Sequence, residues 1–267
     1  MMTELVHYVV DGPVAHLTLD SPHNRNALST VLVQQLHEGL AHAAADPAVR
    51  CVVLGHAGGT FCAGADLSEA SSDGNAVGLG DVAFDRAREM TRTLRSILEL
   101  PIPVIGAING HVRAGGMGLV GACDLVVAGP ASTFALTEAR IGVAPSIISL
   151  TLLPKLDPRA AGRYFVTGEK FGADEAARIG LITTAAESAA HAEAAVAAFA
   201  ADIAKGSPQG LATSKALTTA AILEDFDRHA EALTQQSARL FGSDEAREGM
   251  LAFLEKRPPR WVLPSAP

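Results

Sequence analysis

Aromatic side chains are scarce in this sequence of 267 residues, at 4% of the total, with a single Trp and two Tyr. Hydrophobic residues still make up 48% of the chain, so a core has to be built mainly from aliphatic side chains and alanine. We therefore expect one large domain or two small ones, with helices that pack closely on small side chains.

Cysteine is rarer still. The three residues Cys51, Cys62 and Cys123 have neither the spacing of a metal site nor that of a disulfide framework, so we expect buried, reduced thiols. The nine histidines form no HxH or HExxH motif, which argues against a bound metal. A GxSxG motif is also missing, so a hydrolase nucleophile of that type is not predicted.

Positive charge is in short supply, because 21 Lys and Arg residues stand against 29 Asp and Glu residues and give a net charge of −8. Nucleic acids and anionic membranes bind to basic surfaces, so neither is an expected partner. An anionic small molecule held by a few local cations stays compatible with this balance. No apolar run approaches the roughly 20 residues of a membrane span. The start, MMTELVHYVVDG, lacks the basic and apolar parts of a secretory signal, so we expect a cytoplasmic protein.

The chain does contain an alternation of short apolar runs and helical patterns. A hairpin is predicted around Asp11-Gly12-Pro13, and a helix capped by Ser29 is predicted to end near Ala45. A buried strand over Val49–Gly55 and a helix over Val82–Leu100 follow. This alternation predicts an α/β fold with a mainly parallel sheet, and from about Pro158 onward the pattern is almost wholly helical.

Five glycines fall within the twelve residues GHVRAGGMGLVG. Gly116–Gly121 fits GxGxxG, but seven residues separate it from the preceding strand VIGAI, and no acidic residue follows at the spacing of a dinucleotide site. A P-loop would need lysine where Gly116 stands. Two interpretations stay open. The glycines allow close packing of a helix N-terminus, or they let backbone N–H groups converge with those of Thr60–Glu69 on one oxygen, as in an oxyanion hole.

Several segments, in this order, resemble the crotonase (enoyl-CoA hydratase/isomerase) superfamily. They are SPHNRNALS, FCAGADL, PIPVIGAINGHVRAGGMGL, CDLVVAG, FALTEARIGVAP and FLEKR, and together they cover nearly the whole chain. The resemblance implies a ClpP-like spiral of ββα units over residues 1–200, which holds the active site. It implies a C-terminal helical region over 201–267 for trimerisation and CoA contact. It also implies an acyl-CoA thioester as substrate, a homotrimer or homohexamer, and no cofactor beyond the CoA of the substrate.

The resemblance assigns the catalytic groups as well. It places the two oxyanion N–H groups on Ala65 and Gly115 and the general acid/base on Glu138. The second glutamate of typical family hydratases is replaced by Gly118. We expect an enoyl-CoA hydratase with one glutamate, and the alternatives are a Δ3,Δ2-enoyl-CoA isomerase or a noncatalytic acyl-CoA-binding protein. Glycine at this position and a similar RIGVAP segment resemble hydratases of branched, carboxyl-bearing substrates such as 3-methylglutaconyl-CoA.

Substrate-binding residues are implied at both ends of the chain. By resemblance, Arg25 runs beside the pantetheine and phosphates, while Phe253 and Lys256 reach the nucleotide from a neighbouring subunit. Arg113 stands where the family commonly has a hydrophobic residue. It is a candidate for contact with a distal substrate carboxylate, and otherwise it points to solvent or to a subunit contact. By resemblance the backbone from Ala63 to Asp66 lines the adenine side of the site, and Leu67, which follows the oxyanion loop, is a further candidate for CoA binding.

Overall fold

The computed structural model describes residues 3–66, 69 and 79–263, without the side chains of residues 79–81. Its strands are β1 (Val6–Asp11), β2 (Val14–Leu19), β3 (Cys51–His56), β4 (Thr60–Cys62), β5 (Val104–Ile108), β6 (His111–Arg113), β7 (Leu125–Ala128), β8 (Thr133–Ala135), β9 (Phe171–Gly172) and β10 (Thr184–Ala185). Its α-helices are α1 (Thr30–Ala45), α2 (Leu79–Glu99), α3 (Gly115–Ala122), α4 (Ser149–Leu152), α5 (Pro158–Thr167), α6 (Ala173–Arg178), α7 (Ala189–Ile203), α8 (Pro208–Phe241) and α9 (Asp244–Leu254). Short 3-10 helices cover Pro22–Asn24 and Glu138–Ile141.

The larger sheet has six strands in the order β1-β2-β3-β5-β7-β10, and every pair except β1–β2 is parallel. The antiparallel pair is the predicted hairpin. Helix α1 crosses from β2 to β3, and its N-cap is the predicted Ser29, whose side chain accepts a hydrogen bond from the N–H of Leu32. The α/β class and the mainly parallel sheet are therefore confirmed.

A second, smaller sheet has the order β4-β6-β8-β9. Its first three strands are parallel and only three residues long. Each follows directly after a strand of the larger sheet, so β3 leads to β4, β5 to β6 and β7 to β8. After β4 and β6 the chain enters a helix. The result is a repeated ββα unit, in which the small sheet lies at one end of the large one.

The C-terminal helices pack onto this core. Helix α8 is 34 residues long and lies along α2, and its Phe226 is 1% exposed within the main hydrophobic cluster. The predicted division at residue 200 falls within α7, which continues to Ile203, while α8 begins at Pro208. The two-part organisation over 1–200 and 201–267 stays a prediction.

The expected burial of Cys51, Cys62 and Cys123 is confirmed, and all three are free thiols. Burial raises the pKa of Cys51 to about 11 and that of Cys62 to about 12, which keeps both protonated at neutral pH. Within the described ranges, no group of His, Cys, Asp and Glu has the arrangement of a metal site. Across the same ranges, every helix is too short or too polar to cross a membrane.

Candidate active site

The carboxyl ends of three short parallel strands bring the predicted catalytic residues to one edge. Strand β6 lies between β4 and β8, with His111 opposite both Thr60 and Thr133. Parallel strands end on the same side of a sheet, so the residues that follow them are neighbours. These residues are Ala63–Asp66 after β4, Ala114–Gly115 after β6 and Glu138 shortly after β8.

Two loops touch at Gly64. This residue has φ +97°, a conformation that favours glycine, and a β-carbon on it would lie 2.9 Å from Cβ of Ala114 and 3.7 Å from the backbone nitrogen of Gly115. Ala114 itself has φ 46°, which is unusual for a residue with a side chain. Such strained backbone is kept where the surrounding structure demands it, often at functional sites. The small residues therefore serve a close approach of two main chains.

The N–H groups of Ala65 and Gly115 have no acceptor among the residues that the structure describes. Gly115 is the first residue of α3, so its N–H is one of the free donors at a helix N-terminus, and the helix dipole adds positive potential there. Ala65 is exposed beside it, after an isolated parallel bridge to Leu28. Two unpaired N–H groups on touching loops are the donors that an oxyanion hole requires.

Glu138 begins the 3-10 helix that follows β8, and its carbonyl oxygen accepts hydrogen bonds from the N–H groups of Gly142 and Val143. Helix α9 braces this turn from outside, because Gly249 lies so close to the carbonyl group of Ile141 that a β-carbon would not fit. The backbone that carries the Glu138 side chain is therefore held from two directions.

The Glu138 side chain is 6% exposed, and its Oε2 atom is buried with no hydrogen-bond partner in the described part of the chain. Burial disfavours the charged carboxylate and raises the pKa of Glu138 to about 7, against a smaller opposing effect of its own backbone N–H. A carboxyl group that titrates near neutral pH can both accept and donate a proton. Glu138 thus has the chemistry of a general acid/base.

Gly118 lies one turn into α3, at the position where the resemblance expects a second glutamate in hydratases. A β-carbon at this position would lie 2.5 Å from Cγ2 of Ile148 and 3.1 Å from Cε of Met90. Met90 also lies along Gly115, together with Leu28, where a β-carbon would be 3.6 Å and 3.0 Å from these two side chains. Hydrocarbon therefore fills the place of the second carboxylate.

The sequence profile of enoyl-CoA hydratase/isomerase proteins matches residues 10–263. The chain belongs to the enoyl-CoA hydratase/isomerase family. A crystal structure of an enoyl-CoA hydratase from Mycobacterium avium is similar to it, with 64% identity and a TM-score of 0.89 over 98% of this chain and 100% of that one. The enoyl-CoA hydratase structure from Mycobacterium smegmatis has 32% identity and a TM-score of 0.77 over 97% and 99% of the two chains. Carnitinyl-CoA dehydratase from Proteus mirabilis is 32% identical over 97% of this chain and 99% of its own length.

The family assignment confirms the predicted crotonase fold, whose ββα units are the repeats described above. The loop at 21–26 lies beside β4 and the residues that follow it. Asn24 donates to the Asp66 carboxylate at 2.8 Å, and Asn26 donates to the carbonyl oxygen of Thr60 at 2.7 Å. The predicted CoA residue Arg25 is exposed between them, in a left-handed conformation with φ 58°. Arg25 and Asp66 are therefore brought to the same edge as Ala65.

The remaining predicted binding residues differ in how closely they join this site. Ala63 is half-buried directly after β4, whereas Leu67 lies outside the described residues. Phe253 is 57% exposed and Lys256 is also exposed, at the far end of α9. Both side chains are available to a ligand or to a neighbouring subunit, and within this single chain they do not meet Glu138.

Arg113 is half-buried on β6 and bound to its own sheet. Its guanidinium donates to the carbonyl oxygens of Val112 at 2.8 Å and Thr133 at 2.7 Å, and to Oγ1 of Thr133 at 2.8 Å. Val112, the next residue along the strand, points into the core, so Arg113 extends from the opposite face of the small sheet. Contact with a substrate carboxylate would require it to exchange these acceptors.

The sequence analysis missed the apolar side chains around α3. Leu28, Met90 and Ile148 come from three separate segments, and only Leu28 lies in a stretch that carries the family resemblance, SPHNRNALS. Only the absence of a side chain at Gly115 and Gly118 hinted that something else fills the space beside them.

Proposed function

We propose that this protein is an enoyl-CoA hydratase that adds water across the 2,3 double bond of an acyl-CoA thioester with Glu138 as its single acid/base group. The observation that carries the proposal is the buried Oε2 atom of Glu138, at the sheet edge that also holds the N–H groups of Ala65 and Gly115; among the described residues none of the three has a hydrogen-bond partner. A buried carboxyl group without a partner is costly unless a ligand or reaction requires it.

The reaction needs one charge to be stabilised and one proton to be moved. As the water oxygen bonds to C3, negative charge develops on the thioester oxygen, where the two N–H groups bind it. Glu138 accepts one proton from the water and delivers a proton to C2, so it ends in the state in which it began. A pKa of about 7 suits both halves of this transfer. The names of similar proteins, an enoyl-CoA hydratase and a carnitinyl-CoA dehydratase, support water addition or removal as the reaction class.

A Δ3,Δ2-enoyl-CoA isomerase is the second candidate, and the packing at Gly118 favours it. Isomerisation moves a proton between C4 and C2 and needs one carboxyl group but no attacking water. The hydrocarbon of Ile148 and Met90 at the place of the second carboxylate is compatible with such a reaction. A noncatalytic acyl-CoA-binding protein is the third possibility, and the unpaired carboxyl of Glu138 speaks against it.

For the acyl group, we retain the prediction of a branched or carboxyl-bearing substrate of the 3-methylglutaconyl type. Its support is the glycine at position 118 and the presence of Arg113. The three hydrogen bonds of Arg113 to Val112 and Thr133 weigh against direct contact with the substrate.

We also propose a homotrimer or homohexamer located in the cytoplasm. Support for assembly comes from apolar side chains that the single chain leaves exposed near its C-terminal end, among them Leu251 at 45%, Phe253 at 57% and Leu254 at 58%. Side chains of this kind, close together on one surface, mark protein contacts.

The decisive experiment measures the absorbance of the conjugated enoyl thioester with crotonyl-CoA and 3-methylglutaconyl-CoA. Wild type is expected to remove the absorbance, whereas Glu138→Gln is expected to be at least 100-fold slower, because general acid/base groups contribute roughly 10²–10⁴-fold. The matched control is Glu187→Gln, at an exposed position far along the sequence. If the conjugated absorbance increases with a 3-enoyl-CoA and does not decrease with the 2-enoyl substrates, the protein is an isomerase and the hydratase proposal is wrong. If the protein binds acyl-CoA but changes the absorbance of neither kind of substrate, it is a noncatalytic acyl-CoA-binding protein.

A further inference from the structure

Three buried side-chain polar atoms have no hydrogen-bond partner in the described part of the chain: Nδ1 of His56, Oε2 of Glu138 and Oγ of Ser146. Two of the three, on Glu138 and Ser146, lie on the single segment 138–148, which starts at the proposed acid/base group. Buried polar groups in proteins are nearly always paired, so two orphans on one segment call for an explanation.

The hydroxyl groups that follow this segment in the chain behave differently. Ser149 donates to the carbonyl oxygen of Ser146 at 2.5 Å, and Thr151 bonds to the carbonyl oxygens of Gly118 and Ile148, both at 3.1 Å. Ser146 could have satisfied its hydroxyl with a nearby carbonyl in the same way, as serine commonly does. Its backbone is fixed, since its N–H donates to Ala144 at 2.8 Å, yet its Oγ atom is left unpaired.

The segment runs between two points of the proposed site. It begins at Glu138, and it ends at Ile148, whose side chain occupies the space beside Gly118. The chain that closes the place of the second carboxylate therefore carries, two residues earlier, a buried hydroxyl with free hydrogen-bonding capacity. Ser146 is 7% exposed, so a partner for this hydroxyl has to be small, such as a single water molecule.

We propose that Ser146 is a catalytic residue that holds the attacking water, in the part that a second glutamate plays in two-carboxylate hydratases. The inference rests on the proposed hydratase function. In the reaction, the water oxygen forms the bond to C3, one water proton passes to Glu138, and Glu138 delivers a proton to C2. The other hydrogen stays on the new C3 hydroxyl group and is donated to Oγ of Ser146 throughout. The lone pair of the water is thereby aimed at C3.

The first test is Ser146→Ala, assayed for hydration of crotonyl-CoA and for thermal unfolding. We expect kcat to fall about 10- to 100-fold with KM changed less than threefold, because loss of orientation in a reacting pair costs up to about that much. The melting temperature should stay equal to that of wild type or rise, since the variant removes a buried hydroxyl that has no partner in the free protein.

The matched control is Ser132→Ala. Ser132 is also buried, at 1% exposure, but its hydroxyl donates to the carbonyl oxygen of Ile108 at 3.2 Å. This variant should lower the melting temperature and leave kcat within about twofold of wild type. A structural role for Ser146 would instead give both variants the same loss of stability and similar activity.

A second assay separates water from proton transfer. Exchange of the C2 protons of butyryl-CoA in D2O, followed by NMR, needs Glu138 and the oxyanion hole but no addition of water. Ser146→Ala should exchange these protons within about twofold of the wild-type rate, whereas Glu138→Gln should not exchange them. Equal hydration by wild type and Ser146→Ala overturns the inference, as does equal loss of hydration and exchange in Ser146→Ala. If wild type exchanges C2 protons but hydrates no enoyl-CoA, the hydratase proposal itself fails.

Discussion

Ile148 occupies the space into which a side chain at Gly118 would project, with its Cγ2 atom 2.5 Å from where a β-carbon would lie. The glycine and the isoleucine are therefore complementary. Ile148 and Met90 fill the space beside Gly118 with hydrocarbon, so no room is left there for the side chain of a glutamate.

Gly118→Glu should consequently fail to create a two-glutamate hydratase. Overpacking costs roughly 1–3 kcal/mol, and this variant adds a charge in an apolar place, so its free energy of unfolding should fall by at least that amount. Ile148→Ala alone should cost about 2–5 kcal/mol. The double variant should be less destabilised than the sum of both, by about 0.5–3 kcal/mol, because alanine makes room for the new side chain.

Denaturant unfolding of the four proteins provides this comparison. The matched control is Gly162→Glu, since a β-carbon at this helical position meets nothing within 4 Å. It should be neutral or slightly stabilising. If Gly118→Glu is as stable as wild type, the side chains around α3 can move to admit a glutamate, and Ile148 does not exclude a second carboxylate.

Ionisation of Glu138 should lower the free energy of unfolding as the pH rises. Its pKa of about 7 lies above the ordinary 4.5, so the folded state holds a proton that the unfolded state releases between these values. Stability contributed by this group is full below pH 4.5 and lost by about pH 7. Glu138→Gln cannot ionise, so above pH 7 it should be more stable than wild type by up to about 3 kcal/mol, and near pH 4 the two should be alike. Unfolding curves at four or five pH values test this, and a pH-independent difference would contradict it.

Lys215 ties α8 to the core through a buried ion pair. Its Nζ atom lies 2.7 Å from the Asp124 carboxylate and donates to the carbonyl oxygens of Ile97 at 2.8 Å and Ile102 at 3.1 Å. Lys215→Met should cost up to about 3–5 kcal/mol, because it removes the cation from the Asp124 carboxylate, which is 16% exposed and then keeps the hydrogen bond from the N–H of Val104 at 2.7 Å. Lys215→Met with Asp124→Asn should recover part of this loss.

The exposed pair of Lys205 and Asp202 supplies the comparison, since both side chains are more than 70% exposed. Lys205→Met should change the free energy of unfolding by less than about 1 kcal/mol. If Lys215→Met and Lys205→Met lower the free energy of unfolding by similar amounts, burial does not make the Lys215 ion pair more important for stability than an exposed one.

The sequence predicted one sheet well and the other hardly at all. The hairpin, β3 and β5 are runs of five or six residues with clear apolar patterns, whereas β4, β6 and β8 have three residues each. Three residues are too few to show the alternation of buried and exposed side chains that identifies a strand. The run GHVRAGG, which contains β6, also has the glycine content of a loop, because its glycines contact distant parts of the chain. The sheet that carries the site was therefore visible only through the family resemblance.

The site itself divides in the same way. Ala65, Gly115 and Glu138 could be named through the family resemblance, because they lie in the segments FCAGADL, RAGGMGL and FALTEARIG that carry it. Ile148 and Ser146 could not, since nothing near them in sequence shows that one fills the space beside Gly118 and that the other keeps an unpaired hydroxyl. Such features depend on which segments meet in the folded chain, and local pattern does not contain that information.

The last prediction concerns CoA binding. Arg25, Lys256 and Phe253 are exposed, and the resemblance places them beside the phosphates and adenine of CoA. Arg25→Ala and Lys256→Ala should each raise KM for crotonyl-CoA roughly tenfold, the equivalent of 1.4 kcal/mol for a lost charged hydrogen bond, with little change in kcat. With crotonyl-pantetheine, which lacks the nucleotide, the same variants should equal wild type, and Lys205→Ala should equal wild type with both substrates. If the KM effects persist with crotonyl-pantetheine, the two residues act on the fold of the site and not on the nucleotide. If the Lys256 contact crosses between subunits, mixed oligomers of Glu138→Gln and Lys256→Ala subunits should contain some sites with both Glu138 and Lys256 intact, and these sites should show the wild-type KM for crotonyl-CoA.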